Sequence, residues 1–197
     1  MEETFLSELI PATELAVIQA LDELCNTRSF ERVGVVDIAK RAGISRSSFY
    51  YHFSSRNDVV RYLSRFAFAQ GIDRIGHGLT WFEGHYTTTR ILYPYRSLII
   101  AAAGAQGYDG AANSYRRHRS ATLVATMREH GAEVTEGLAF EALALASAEQ
   151  VMTDKFIRGD FATMTIRSFC TYLTDIVPEN LRVAVGGMKT KRPCAPE

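Results

Sequence analysis

The segment Val35–Phe53 constrains this chain most. Ala39 stands four residues before Gly43, and Ile38, Ala42, Ile44, Phe49 and Phe53 set apolar side chains around that pair. A turn joining two short helices at a steep angle needs a small residue where they cross and a corner residue tolerant of positive φ. It also needs apolar side chains to fill the angle. All three are present, so the spacing predicts a helix over Val35–Ala42, a stop at Gly43, and a second helix capped by Ser45 that reaches Phe53.

The outward positions of that second helix are Arg46, Ser47, Ser48, Tyr50, Tyr51 and His52, and every one can hydrogen-bond. An ordinary surface helix carries Glu and Lys; this one carries groups suited to phosphates or base edges. Charge agrees locally. Between residues 28 and 65, Arg28, Arg32, Lys40, Arg41, Arg46, Arg56, Arg61 and Arg65 face only Glu31, Asp37 and Asp58. The whole chain has a formal net charge of zero, which excludes a protein that coats nucleic acid by bulk charge. Contact with DNA would have to come from this patch. A lone His52 there is no evidence of catalysis, and Phe49 and Phe53 belong to the inward face.

The run VIQALDELCNTRSFERVGVVDIAKRAGISRSSFYYHFSSRNDVV, roughly Val17 to Val60, resembles the N-terminal three-helix module of the TetR/AcrR regulators, above all in DIAKRAGIS and YYHF. The resemblance implies a recognition helix in the major groove, with base-edge contacts from Arg46, Ser47, Ser48 or Tyr51. It also implies phosphate contacts from Tyr50, His52 and Arg56. One departure stands out: where many relatives open the preceding helix with a Thr or Ser pair, this chain has Val33 and Gly34. A backbone amide would then have to replace the usual hydroxyl at phosphate.

Helical periodicity runs through the rest, and period-2 alternation bounded by turns is nearly absent. The expected fold is all-α: an N-terminal helix-turn-helix module over residues 1–55, a larger helical ligand-binding and dimerisation domain over 56–185, and a disordered tail over 186–197. The first helix is predicted after Pro11 with Thr13 as cap and Val17, Ile18, Leu21, Leu24 and Cys25 inward. Ser55 and Asp58 resemble a capping box ahead of a helix through Val59, Val60, Leu63, Phe66 and Ala67. Further helices are expected near Thr87–Ala103 and Asn113–His130, then over Thr135–Ile157 and Asp160–Val177, parted at Arg158 and Gly159 and stopped by Pro178.

The last two helices carry the stripes Leu138, Ala142, Leu145, Ala146 and Ile166, Phe169, Cys170, Leu173, Ile176, Val177. Each stripe must serve in part as internal core. The resemblance implies that the same two helices pair with their two-fold mates in a homodimer, which predicts a palindromic operator with half-sites about 34–36 Å apart or a multiple of that. Between Arg74 and Arg119 the aromatic and polar residues thicken, including Arg90, Tyr95 and Tyr108. His77, Trp81, Phe82, His85, Tyr86, Tyr93, Arg96 and Tyr115 are candidates to line an effector site, with a weak lean to an anionic or phenolic ligand. The resemblance implies that a bound small molecule would move the two DNA-reading modules apart or together and release the operator.

Two other functions compete. An enzyme would need a phosphate loop, a nucleophile elbow, metal-spaced histidines or a supported acid/base pair, and the sequence offers none, so no catalytic residue, cofactor or metal is expected. A regulator of the same fold acting through a partner protein, as co-activator or scaffold, is the second. A collapsed segment between Trp81 and Tyr115 would favour it. Cys25, Cys170 and Cys194 are odd in number and far apart, which suits idle thiols in a reducing compartment. The acidic start and the lack of an apolar run near the roughly 18 residues of a membrane helix point to the cytoplasm.

Overall fold

The computed structural model describes residues 2–104 and 111–186, with side chains over 6–104 and 113–186. Tyr108, Cys194 and the expected tail beyond Gly186 lie outside the described residues. The elements are α1 (Glu2–Leu9), α2 (Ala12–Cys25), α3 (Val35–Arg41), α4 (Arg46–His52), α5 (Arg56–Gln70), α6 (Trp81–Leu92), α7 (Arg96–Gly104), α8 (Ala111–Glu129), α9 (Glu136–Arg158), α10 (Ile166–Asp175) and α11 (Glu179–Ala184). No β-strand is found among the described residues; Ile75 and Leu79 form an isolated bridge.

Two compact units result: Met1–Ala67 with Arg90–Ala111, and Phe68–Thr89 with Ala112–Glu197. The first unit reaches past residue 55 and takes in α7. Leu98 and Ala102, one turn apart, are fully buried with Val17, Ile18 and Leu21 of α2 in one core. Asp22 of α2 accepts the backbone N–H of Leu98 near the start of α7, and burial raises its carboxyl above the usual range. Phe30, Val33, Ile38, Phe49, Phe53, Val59, Val60 and Leu63 complete that core.

The second unit packs Ile72, Ile75 and Trp81 against Leu123 and Met127 of α8, Ala142 and Leu145 of α9, and Val177, Leu181 and Val185. Thr135 and Thr165 cap α9 and α10 by accepting from Leu138 N and Ser168 N at 3.3 and 3.1 Å. Phe156 and Phe169 stack at 4.1 Å between the two helices.

Several boundaries differ from the sequence expectation. Thr13 does not cap α2; Pro11 holds the cap position in extended backbone, and α1 precedes it unforeseen. The single helix expected over Thr87–Ala103 is two, because Pro94 removes an amide and the chain tightens into a 3-10 turn over Tyr93–Tyr95. The last long helix begins at Ile166, not Asp160, since Thr165 supplies the cap; beyond Pro178 a further short helix, α11, follows.

Candidate nucleic-acid interface

The corner of the helix-turn-helix is built as its residues require. Gly43 takes φ 70°, its N–H reaches Lys40 O at 3.3 Å, and Ile44 N reaches Ala39 O at 3.0 Å. This paired closure needs a left-handed residue just past the helix end, which glycine supplies without a Cβ clash. Ala39 is buried at the crossing, and Phe49 and Phe53 point inward with ring centroids 5.8 Å apart. Ser45 Oγ accepts from Ser48 N at 3.0 Å and lies 2.8 Å from Ser47 Oγ, so α4 starts where the cap predicts.

With the two phenylalanines buried, the rest of α4 turns outward. Arg46, Ser47, Tyr50 and Tyr51 are exposed, Tyr51 by 86%, while Ser48 is half-buried. The Arg46 guanidinium lies 5.5 Å from the Tyr50 ring, and neither has an acidic partner among the described residues. Arg32 and Lys40 are likewise exposed and unpaired with acid. The remaining local charge is spoken for: Arg28 pairs with Asp37 at 3.1 Å, Arg41 with Glu23, and Arg61 and Arg65 approach Asp58 at 3.4 and 3.8 Å.

His52 and Arg56 have settings the sequence reading did not foresee. His52 Nδ1 lies 3.2 Å from Glu14 Oε1 of α2. Arg56 donates to Val33 O at 3.0 Å and lies 5.2 Å from the Phe30 ring, so it fastens α5 to the loop before α3. The amide that would replace the missing hydroxyl at Gly34 is also taken: Gly34 N donates to Asp37 Oδ2 at 3.3 Å. The sequence signal for that bond was the Asp three residues after the cap position.

The effector candidates separate. Tyr93 and Arg96 belong to the first unit, with Arg96 stacked 4.7 Å from the Tyr93 ring. In the second unit Phe82 and Tyr86 stack at 5.6 Å, with Arg167 over Phe82 at 5.4 Å. His77 is exposed, 3.3 Å from Thr126 and 3.4 Å from Glu129. His85 and Tyr115 converge on a residue the sequence reading missed, Glu149 of α9, while Trp81 lies against His85 and Arg119. The Glu149 carboxylate accepts from His85 Nε2 at 2.9 Å, Tyr115 Oη at 3.0 Å, and Arg119 Nε and Nη2 at 2.9 and 3.2 Å. Burial alone would raise the Glu149 carboxyl, but the Arg119 charge and the His85 bond outweigh it and hold it well below the ordinary range. Burial and the neighbouring Glu149 push the Tyr115 hydroxyl well up. The sequence signal for Glu149 was a Glu inside an alanine-rich helical face.

Among the described residues no group of three His, Cys, Asp or Glu is placed to hold a metal ion, and no helix is long and apolar enough to cross a membrane. Burial raises the thiols of Cys25 to about 11 and Cys170 to about 12.

A capped helix-turn-helix with an acid-free outer face is the arrangement of a DNA-binding module. Residues 17–63 match the family model for bacterial regulatory proteins of the tetR family. It is 40% identical over 47 residues to the HTH-type transcriptional regulator EthR of Mycolicibacterium smegmatis, covering 24% of this chain and 22% of that protein. It is 28% identical over 76 residues to YvdT of Bacillus subtilis, an uncharacterised HTH-type transcriptional regulator, covering 39% of each. The chain thus matches under half the length of these two relatives. Two solved structures share the fold: the dihydroxyacetone kinase operon activator DhaS (TM-score 0.66, 16% identity, 87% of this chain and 97% of that one). The other is the TetR family repressor AlkX of Dietzia sp. strain DQ12-45-1b (TM-score 0.51, 22% identity, 87% and 96%).

Proposed function

We propose that the chain is a cytoplasmic homodimeric repressor that binds a palindromic operator through α4 and is released from it by a small-molecule effector. The observation that carries the DNA reading is the outer face of α4, where Arg46, Ser47, Tyr50 and Tyr51 stand exposed with no acidic residue among them. In this reading Arg46, Ser47, Ser48 and Tyr51 face base edges and Tyr50 holds phosphate. His52 and Arg56 reach phosphate only by leaving Glu14 and Val33 O, so His52 first serves to hold α4 against α2 and Arg56 to hold α5 against the loop before α3.

The dimer reading is supported by apolar side chains left on the outside of α9 and α10. Phe140, Leu143 and Val151 are exposed on α9, Tyr172 on α10 and Ile176 just past its end, so Ile176, expected in the core stripe, stands outside the core. Two-fold pairing would cover them. The competing reading, a partner protein in place of an effector, gains from the burial of Trp81 and His85 inside the chain. Sequencing the genomic DNA crosslinked to the protein tests the first claim. A few sharp inverted-repeat sites are expected; recovery spread over the genome with no shared motif would contradict it.

A further inference from the structure

We propose that the corner formed by Trp81 and Arg119 binds its ligand through an acceptor oxygen, a carboxylate or carbonyl carried on an apolar or aromatic body. This deepens, and rests on, the effector reading above. The argument is a balance of donors and acceptors in a buried place. Each Glu149 oxygen already accepts two hydrogen bonds, from His85 and Arg119 on one side and from Arg119 and Tyr115 on the other. The Ile72 carbonyl accepts Arg119 Nη1 at 3.1 Å, and the Thr174 hydroxyl is given to Cys170 O at 2.8 Å. A cationic or donor-rich ligand would find these acceptors occupied.

Donors, by contrast, are left over. The Trp81 indole is buried to 1% exposure and its Nε1 has no partner among the described residues. Arg119 lies with Cζ 5.4 Å from the Trp81 ring, and its Nη1 and Nη2 each make one of the two bonds they can donate. A buried N–H without an acceptor has lost its hydrogen bond to water, and a ligand oxygen would restore one. Arg119 also gives the event a route outward. The carbonyl it holds, Ile72 O, lies in the 3-10 turn that directly follows α5, and Ile72 N donates to Thr88 Oγ1 at 3.0 Å. Re-aiming the guanidinium toward a ligand would loosen that turn at the end of the helix that begins just after α4 in the chain.

Trp81 is the only tryptophan in the sequence, so its fluorescence reports on this corner directly. Benzoate, acetophenone and benzylamine, matched in size, serve as probes against the full chain. Saturable fluorescence changes are expected with benzoate and acetophenone and none with benzylamine. Trp81→Phe, read by the benzoate-induced rise in melting temperature, should bind benzoate at least about tenfold more weakly. A response to benzylamine equal to that for benzoate, silence toward all three, or unchanged benzoate binding in Trp81→Phe would overturn the proposal. Benzoate binding that leaves operator occupancy untouched would support the ligand chemistry and count against the effector reading alone.

Discussion

Arg46 and Arg56 carry the same charge in opposite surroundings. Arg46 is exposed at the first turn of α4, while Arg56 is half-buried against Phe30 with its guanidinium on the Val33 carbonyl. Arg46→Ala should therefore lower the slope of log affinity against log salt by about one, because a lost phosphate or base contact releases one fewer counterion. Arg56→Ala should leave that slope nearly unchanged and lower the stability by roughly 1–2 kcal/mol through the orphaned carbonyl. Anisotropy titrations over a salt series, with melting curves, separate the two. Glu149 makes a second residue-scale prediction. Its folded carboxyl lies below the unfolded value, so its contribution is present at neutral pH and fades as pH falls below the ordinary carboxylate range. Urea midpoints measured from pH 7 downward should drop more steeply for the wild type than for Glu149→Gln. Arg119→Met, which strands a buried carboxylate, should cost about 3–5 kcal/mol at pH 7.

At the scale of elements, what the sequence discloses depends on how local the cause is. α3, its glycine stop and the Ser45 cap are short-range chemistry, and they are found where the spacing predicts. The start of α6 is local too: Thr80 and Glu83 exchange backbone bonds in a capping box, Thr80 N to Glu83 Oε2 at 2.8 Å and Glu83 N to Thr80 Oγ1 at 3.2 Å. Thr80→Ala should cost about 1 kcal/mol, seen as a lower melting temperature with native circular dichroism. Other features depend on distant partners and leave little local trace. α7 joins the first unit because Leu98 meets α2, and Glu149 is ionised because Arg119 lies one helix away. Gly71 is of this kind. A Cβ there would lie 2.6 Å from the Gly84 carbonyl and closer still to Thr88, so Gly71→Ala should be poorly folded, as amide exchange in α5 and α6 would register.

For the whole molecule the decisive question is which apolar surface is internal. The stripes Phe169, Cys170, Leu173 and Ala142, Leu145, Ala146 are buried within the chain, so they form its own core and are unavailable to a partner. The apolar surface left over on and beside these helices includes Phe140, Leu143, Val151, Met152, Tyr172 and Ile176, which single-sequence periodicity cannot distinguish from ordinary exposed hydrophobics. Phe140→Glu combined with Ile176→Glu should sediment as a monomer with little loss of helical content, whereas Leu173→Glu should unfold the second unit. A double variant that still sediments as a dimer would move the interface elsewhere.

The central claim is that the outer face of α4 reads DNA sequence. Selection from a random duplex library, run in parallel with the wild type, Arg46→Ala and Ser47→Ala, tests it most directly. The wild type should enrich an inverted repeat with half-sites about one turn of DNA apart or a multiple of that, and each variant should relax or change bases within the half-site while keeping the spacing. Enrichment of no motif by the wild type, or the same motif at the same stringency from all three proteins, would contradict it.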